Sequence, residues 1–189
     1  MIQKLILGIL AIMGVFSFNS KRNNVQADIV KDNGKNLIIY FSWSGSTEEA
    51  AKAIQKYTQA DIVELKPQKA YPKDYDNLVK VADNQRLKNI HPAIKTKIKD
   101  FSSYQTVYVG FPTWWHQPPM IIYSLFDKYD FSRKTIIPFT TSMSDSIEKS
   151  MPEMKELAEK DNAKIITGFR YNMNNKSLEK YLVKNKLIK

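Results

Sequence analysis

The chain has 189 residues, of which 43% are hydrophobic and 12% aromatic, so it can bury the core of one domain but is too short for two of ordinary size. Lysine and arginine total 29 against 19 acidic residues, a net charge of +10, yet there is no long basic run and no zinc-ligand spacing. We therefore expect neither a nucleic-acid partner nor a metal site. The lack of cysteine excludes disulfides, thiolate metal sites and cysteine nucleophiles.

An uncharged apolar segment, residues 5–18, follows Lys4 near the amino terminus. Val25 and Ala27 then occupy the small-residue positions of a signal-peptidase site, which predicts that residues 1–27 are a cleaved signal peptide and that the mature domain is extracytoplasmic. Lys21 and Arg22 oppose export, so an uncleaved membrane anchor and a cytoplasmic location stay open as alternatives. Residues 28–34 would be a linker.

Strand and helix patterns alternate from residue 35 onward. The apolar run 36–41, NLIIYF, predicts a strand buried on both faces. Ser46 and Glu49 have the spacing of a capping box, so we predict that the first helix opens at Thr47. Further strands are predicted at 61–65, 106–110, 134–139 and 163–169, and further helices from about 74 to before 92, at 120–128, at 147–160 and at 177–186.

This alternation predicts a doubly wound α/β fold, a parallel sheet of five strands with helices on both faces. Such sheets bind ligands beyond the carboxyl ends of their strands, at the point where the strand order reverses. The loops after the first, third and fourth strands are therefore the candidate site. Their sequences are SWSGST, FPTWWHQPP and TTSMSDS.

The first loop has the composition of a phosphate cradle. Four hydroxyl side chains surround Gly45 at the start of a helix, where unpaired backbone N–H groups attract anions. The loop lacks the lysine and second glycine of a nucleotide triphosphatase loop, and it lacks the glycine spacing of a dinucleotide fingerprint. A well-capped turn without a ligand is the structural alternative.

The third-strand loop contains two adjacent tryptophans, Trp114 and Trp115. Neighbouring side chains of an extended segment point in opposite directions, so at least one of the two should lie near the surface. We expect a stacking platform for a flat ring there. His116 has no carboxylate partner visible in the sequence, so a hydrogen bond to a ligand or to the backbone is favoured over catalysis, and no catalytic residue is predicted.

Taken in order, YFSWSGSTEEAAKAI, YPKDYDNLVKVADNQ, GFPTWWHQPP, YDFSRKTIIPFTTSMSDS and GFR resemble the flavodoxin family, in particular its short FMN-binding branch. The resemblance implies a strand order of 2-1-3-4-5, a domain over residues 35–189 and FMN as the cofactor. It also implies that Ser42, Trp43, Ser44, Gly45, Ser46 and Thr47 hold the FMN phosphate, that Pro112, Thr113, Trp114, Trp115 and His116 border the isoalloxazine ring, and that Thr140, Thr141 and Ser142 form a third wall.

The sequence departs from the family pattern after this third wall. Met143, Ser144 and Asp145 stand where family members commonly have a glycine-rich turn, so the ring site could be reshaped on that side. The chain is also basic, whereas flavodoxins that shuttle electrons are typically acidic.

The resemblance implies an electron-transfer protein that exchanges electrons with a redox partner protein or a small-molecule acceptor. One alternative is an FMN-dependent reductase of quinones or similar acceptors, although no nicotinamide motif is present. A second is a flavin-free interaction module whose basic surface associates with a membrane or an anionic cell-surface polymer.

Overall fold

The computed structural model describes residues 34–189. The predicted signal peptide or anchor, and the linker up to residue 33, lie outside the described residues. Within the described part of the chain, no helix is both long enough and apolar enough to span a membrane.

A parallel sheet forms the centre of the fold. Its strands are β1 (Lys35–Tyr40), β2 (Asp61–Glu64), β3 (Tyr104–Pro112), β4 (Thr135–Thr141), β5 (Lys164–Ile165) and β6 (Phe169–Arg170). They run in the order β2-β1-β3-β4-β5, and β6 pairs with β4. This order confirms the predicted doubly wound fold, with the reversal between β1 and β3.

The helices that cover the sheet are α1 (Ser46–Thr58), α2 (Tyr75–Leu87), α3 (Met120–Lys128), α4 (Met151–Lys160) and α5 (Asn175–Lys184). Successive residues of β1 alternate between two cores, because strand side chains point to opposite faces. Ile38 joins the core that includes α1 and α5, and Ile39 joins the core that includes α3 and α4. Both faces of the sheet are therefore buried.

The predicted single strand at 163–169 was wrong, since it is divided into β5 and β6. Thr135 pairs with Lys164, but Phe139 pairs with Phe169, so the β5–β6 segment contains one extra residue. The interruption lies beside Pro138 of β4, which has no N–H to donate to the ladder on that side. Gly168 occupies the bulge, where an added Cβ would lie 2.1 Å from the Pro138 carbonyl oxygen.

The predicted capping box was also wrong. Helix α1 begins at Ser46, one residue earlier than expected, and its N-cap is Gly45, which has no side chain to cap with. The predicted helix 147–160 is likewise shorter, because a 3₁₀ turn (Ile147–Lys149) precedes α4, whose first turn contains Pro152.

Lys134 is buried at the opposite end of the sheet from the candidate loops, with 5% of its surface exposed. Its ammonium donates hydrogen bonds to the carbonyl oxygens of Phe101 at 3.0 Å and Tyr104 at 2.6 Å, and it lies 4.7 Å from the centre of the Phe101 ring. Burial lowers the pKa of Lys134 from its usual value. The side chain therefore ties the segment before β3 to the start of β4.

We expect Lys134→Met to lower the free energy of unfolding by about 2–3 kcal/mol, because it leaves buried carbonyl oxygens without a donor. Urea unfolding of both proteins would measure the loss. Lys164→Met is the control, since the Lys164 side chain is exposed and should change stability by less than about 0.5 kcal/mol. Equal stabilities for the parent and Lys134→Met would contradict this prediction and would show that water can donate to the carbonyl oxygens in place of the ammonium.

Candidate functional site

Hydroxyl side chains join the three candidate loops at the carboxyl edge of the sheet. The Thr47 and Thr141 hydroxyl oxygens lie 2.8 Å apart, and those of Thr113 and Thr140 lie 2.6 Å apart. The Thr113 N–H also donates to the Thr141 carbonyl at 3.0 Å. The structure therefore brings the predicted site residues of all three loops together. Thr47 and Thr140 are buried, so they support the site from beneath.

The first loop presents open backbone N–H groups. Gly45 has a φ of 93°, a left-handed conformation that glycine adopts without steric cost. The first helical hydrogen bond runs from the Glu49 N–H to the Gly45 carbonyl at 3.0 Å, so the preceding N–H groups of α1 have no helical acceptor. These groups and the helix dipole favour an anion at this position.

Side chains of the first loop leave space for that anion. A Cβ on Gly45 would have no heavy atom within 4 Å, and the exposed hydroxyls of Ser44 and Ser46 lie 3.3 Å apart beside it. The Glu48 carboxylate is paired with Lys52 at 2.5 Å, one helical turn further along α1. A carboxylate that could repel the anion is therefore held by a lysine.

Two predicted phosphate-site residues also shape the loop. The Ser42 hydroxyl accepts the Gly45 N–H at 3.0 Å, which holds the loop in its turn. Trp43 donates its ring N–H to the Pro72 carbonyl at 2.8 Å, and its ring lies 6.4 Å from that of Tyr75. Trp43 therefore anchors the first loop to the segment before α2.

The second loop is a tight hairpin. Trp114 and Gln117 exchange two backbone hydrogen bonds, at 3.0 and 3.1 Å. The central residues, Trp115 and His116, have φ angles of 46° and 67°. Two positive φ angles are typical of a type I′ turn, whose central positions are usually occupied by asparagine, aspartate or glycine. A tryptophan and a histidine there indicate backbone strain, which concentrates at functional sites.

The two tryptophans of this hairpin have different environments. Trp114 is partly buried and packs edge-on against Phe41 and Tyr71, at 5.6 Å in each case, on the margin of the core. Trp115 is 40% exposed, and the Arg86 guanidinium lies 5.4 Å from its ring centre. The prediction that at least one tryptophan lies near the surface is confirmed. Trp115 supplies the exposed aromatic face.

Sequence reasoning missed a groove beside Trp115. Its volume is about 290 Å³, and it lies between α2 and the hairpin. Its lining residues are Tyr75, Leu78, Val79, Ala82, Thr113, Trp114 and Trp115. The signal for this groove in the sequence was weak, namely the apolar spacing of Leu78, Val79 and Ala82 along α2.

The third loop forms its turn without glycine. The Ser142 hydroxyl accepts the N–H groups of Asp145 at 2.9 Å and of Ser144 at 3.3 Å. None of the three described residues Met143, Ser144 and Asp145 has a positive φ. Hydrogen bonds to the Ser142 side chain therefore stabilise this turn, whereas a glycine-rich turn would depend on the conformational freedom of its backbone.

A contact between a histidine and a carboxylate connects the second and third loops. The Asp145 carboxylate lies 2.8 Å from Nδ1 of His116, and the buried Ser150 hydroxyl donates to the His116 carbonyl at 3.2 Å. The sequence identified Asp145 only as a departure from the family pattern. It contained no signal for this contact, because the partners are 29 residues apart.

Two tyrosines near the site have raised pKa values. Burial, with smaller contributions from Glu48 and Glu64, raises the pKa of Tyr40 to about 12. Burial also raises the pKa of Tyr71, whose hydroxyl donates to Gln85 at 2.8 Å. Among the described residues, no group of three or more His, Asp or Glu side chains is placed to hold a metal ion.

These features define a doubly wound α/β protein with open backbone N–H groups at the start of α1 and an exposed tryptophan in the loop after β3. The flavodoxin family model matches residues 35–187, and the chain belongs to this family.

The fold is similar to those of several solved structures. A candidate flavoprotein from Bacteroides eggerthii DSM 20697 is 28% identical, with a TM-score of 0.73, and the match covers 82% of this chain and 99% of that one. A flavoprotein from Lactobacillus acidophilus NCFM, solved in complex with FMN, is 25% identical, with a TM-score of 0.67 and coverage of 78% and 98%. No curated protein sequence matches the chain.

We expect Trp114→Ala to lower the free energy of unfolding by about 2–4 kcal/mol, since it removes a large, partly buried side chain that packs against the core. Trp115→Ala should cost less than about 1 kcal/mol, because Trp115 lies at the surface. Chemical denaturation of the flavin-free protein would measure both. Equal losses would contradict the different environments of the two tryptophans.

Proposed function

We propose that the chain binds FMN at the carboxyl edge of its sheet and acts as an electron-transfer protein. The observation that carries this proposal is the first loop, where open N–H groups and exposed hydroxyls surround an unfilled space at Gly45. Membership of the flavodoxin family supports it. So does the similarity to the Lactobacillus acidophilus flavoprotein in complex with FMN.

The residues of the first loop fit the phosphate of FMN. The backbone N–H groups at the start of α1 would donate to its oxygens, together with the hydroxyls of Ser44 and Ser46. Ser42 and Trp43 would hold the loop in shape through their hydrogen bonds to Gly45 and Pro72. The Glu48–Lys52 pair limits repulsion by the nearby carboxylate.

The hairpin and the third loop would border the isoalloxazine ring. Pro112, Thr113 and His116 contribute from one side, with Trp115 as the aromatic surface. Thr141 and Ser142 contribute from the other side, and the buried Thr140 links the two through Thr113. Trp114 would act indirectly, by fixing the hairpin on the core.

Bound FMN supplies the redox chemistry, and the protein supplies binding, orientation and charge. The exposed part of Trp115 places an aromatic surface where a redox partner protein or a small-molecule acceptor could approach. The adjoining groove is large enough for part of a flat acceptor, which is the observation that favours the second candidate, an FMN-dependent reductase.

We expect Gly45→Val to weaken FMN binding by about 10- to 100-fold and riboflavin binding by only a few-fold. A valine at a φ of 93° is strained and would shift the N–H groups that face the phosphate, a group that riboflavin lacks. Fluorescence quenching of each flavin during titration would measure the two dissociation constants.

Trp115→Ala is the matched control for this experiment. It removes an aromatic contact available to the ring of either flavin, so we expect equal losses for both, about 1–3 kcal/mol on the scale of aromatic stacking. Equal losses for Gly45→Val would exclude the first loop as the phosphate site. A colourless protein that takes up neither flavin would exclude the proposed function.

We also propose that the domain works outside the cytoplasm after cleavage of residues 1–27. The apolar segment 5–18 and the small residues Val25 and Ala27 support this. In cells with an intact secretion system, the exported protein should begin at Asp28, as measured by mass spectrometry of its amino-terminal peptide. A soluble cytoplasmic chain that starts at Met1 would contradict export.

A further inference from the structure

The contact between His116 and Asp145 joins the two loops that would border the flavin ring. Its partners come from the β3–α3 hairpin and from the turn after β4. We infer that Asp145 is a positioning residue, which fixes the proton of the His116 ring on Nδ1 and leaves Nε2 as the nitrogen that gains and loses a proton beside the ring site. The position of the proton follows from the geometry of the pair. Its effect on a bound flavin rests on the proposed function.

The contact determines which nitrogen titrates. A carboxylate only accepts hydrogen bonds, so the Nδ1 atom at 2.8 Å from Asp145 must carry a hydrogen. In the neutral ring, Nε2 then has the lone pair, and in the charged ring both nitrogens carry hydrogens. The two states of His116 therefore differ only at Nε2.

Backbone contacts hold both partners in place. The His116 carbonyl accepts the hydroxyl of the buried Ser150, and the backbone of His116 has a left-handed φ of 67°. The Asp145 N–H donates to the Ser142 hydroxyl, and the Arg170 guanidinium approaches the Asp145 carbonyl at 3.5 Å. An exposed ion pair is usually weak because both side chains must be ordered. Here the backbone contacts fix the positions from which the two side chains extend.

Exposure separates the roles of the two residues. The His116 side chain is 71% exposed, so its ring can exchange protons with solvent, whereas the Asp145 side chain is only 18% exposed. Among the described residues, the pair is also approached by the charged side chain of Arg170, at the Asp145 carbonyl oxygen. His116 is adjacent to Trp115 in the sequence, so if FMN binds as proposed, a positive charge on His116 would attract negative charge on the bound ring.

The chain contains a matched control for this pair. It has two histidines, and the second, His91, also contacts a carboxylate through Nδ1, that of Asp127. This second pair joins the segment before β3 to α3, and its residues do not belong to the three candidate loops. Asp145→Ala and Asp127→Ala therefore remove equivalent partners at different places.

Nitrogen-15 NMR of the two imidazoles in the flavin-free full chain tests the geometry. In the parent we expect neutral His116 to carry its proton on Nδ1, and in Asp145→Ala we expect a mixture of the two neutral forms. Asp127→Ala should leave the His116 signals unchanged and alter those of His91. If Asp145→Ala leaves the His116 signals as in the parent, the positioning role is wrong. Asp145→Leu, which has a side chain of similar size and no hydrogen-bond acceptor, replaces Asp145→Ala if that variant does not fold.

The consequence is tested by the midpoint potential of the FMN-loaded protein across the range in which histidine titrates, about pH 5 to 8. His116→Gln should lose the component of the pH dependence that belongs to the imidazole. Asp145→Ala should alter that component, while Asp127→Ala should retain it. A potential that follows pH equally in the parent and in Asp145→Ala would overturn the inference, since a purely structural contact would not change the profile.

The two measurements separate this inference from the proposed function. A chain that takes up no FMN overturns the proposed function, but the NMR comparison still supports or overturns the positioning of His116. A chain that binds FMN and shows no change in the His116 signals of Asp145→Ala supports the proposed function and overturns the inference.

Discussion

The parallel pairing of β1, β3 and β4 is the constraint on which the site depends. Parallel strands end at the same edge of a sheet, so three loops that are far apart in the chain meet there. Close packing inside the sheet sets their relative position. Gly110 of β3 lies under the ring of Phe139 of β4, and a Cβ at residue 110 would come within 2.1 Å of that ring. A larger residue there would move the strands that present the second and third loops.

Hydrogen bonds between side chains then hold the three neighbouring loops together as one surface. Threonine hydroxyls connect all three, Ser142 forms the third turn, and the His116–Asp145 pair joins the hairpin to that turn. The hairpin also keeps two bulky residues at positive φ, which requires that the surrounding structure hold it in that form. Such preorganisation reduces the cost of ordering the loops when a ligand binds.

Much of this architecture could be predicted from local patterns. The strand order and the location of the site could be predicted from three features. They are the apolar run of β1, the change from strand to helix spacing after Phe41, and the family resemblance. The wrong predictions also came from local patterns. The capping box assumed that Ser46 lies before the helix, but Gly45 adopts the left-handed conformation and becomes the N-cap. The predicted last strand ignored Pro138, which has no N–H and lies on a different strand, 28 to 30 residues before the interrupted segment 166–168.

The sequence by itself determined the alternation of strands and helices, the hydroxyl-rich loop around Gly45 and the presence of an aromatic pair, because each depends on residues close together in the chain. The tertiary structure alone decided that Trp114 packs against the core and that Trp115 lies at the surface, since this depends on the positions of Phe41, Tyr71 and Arg86. It also decided that Asp145 meets His116. That contact arises only when two parallel strands bring their following loops to one edge, and no spacing along the chain encodes it.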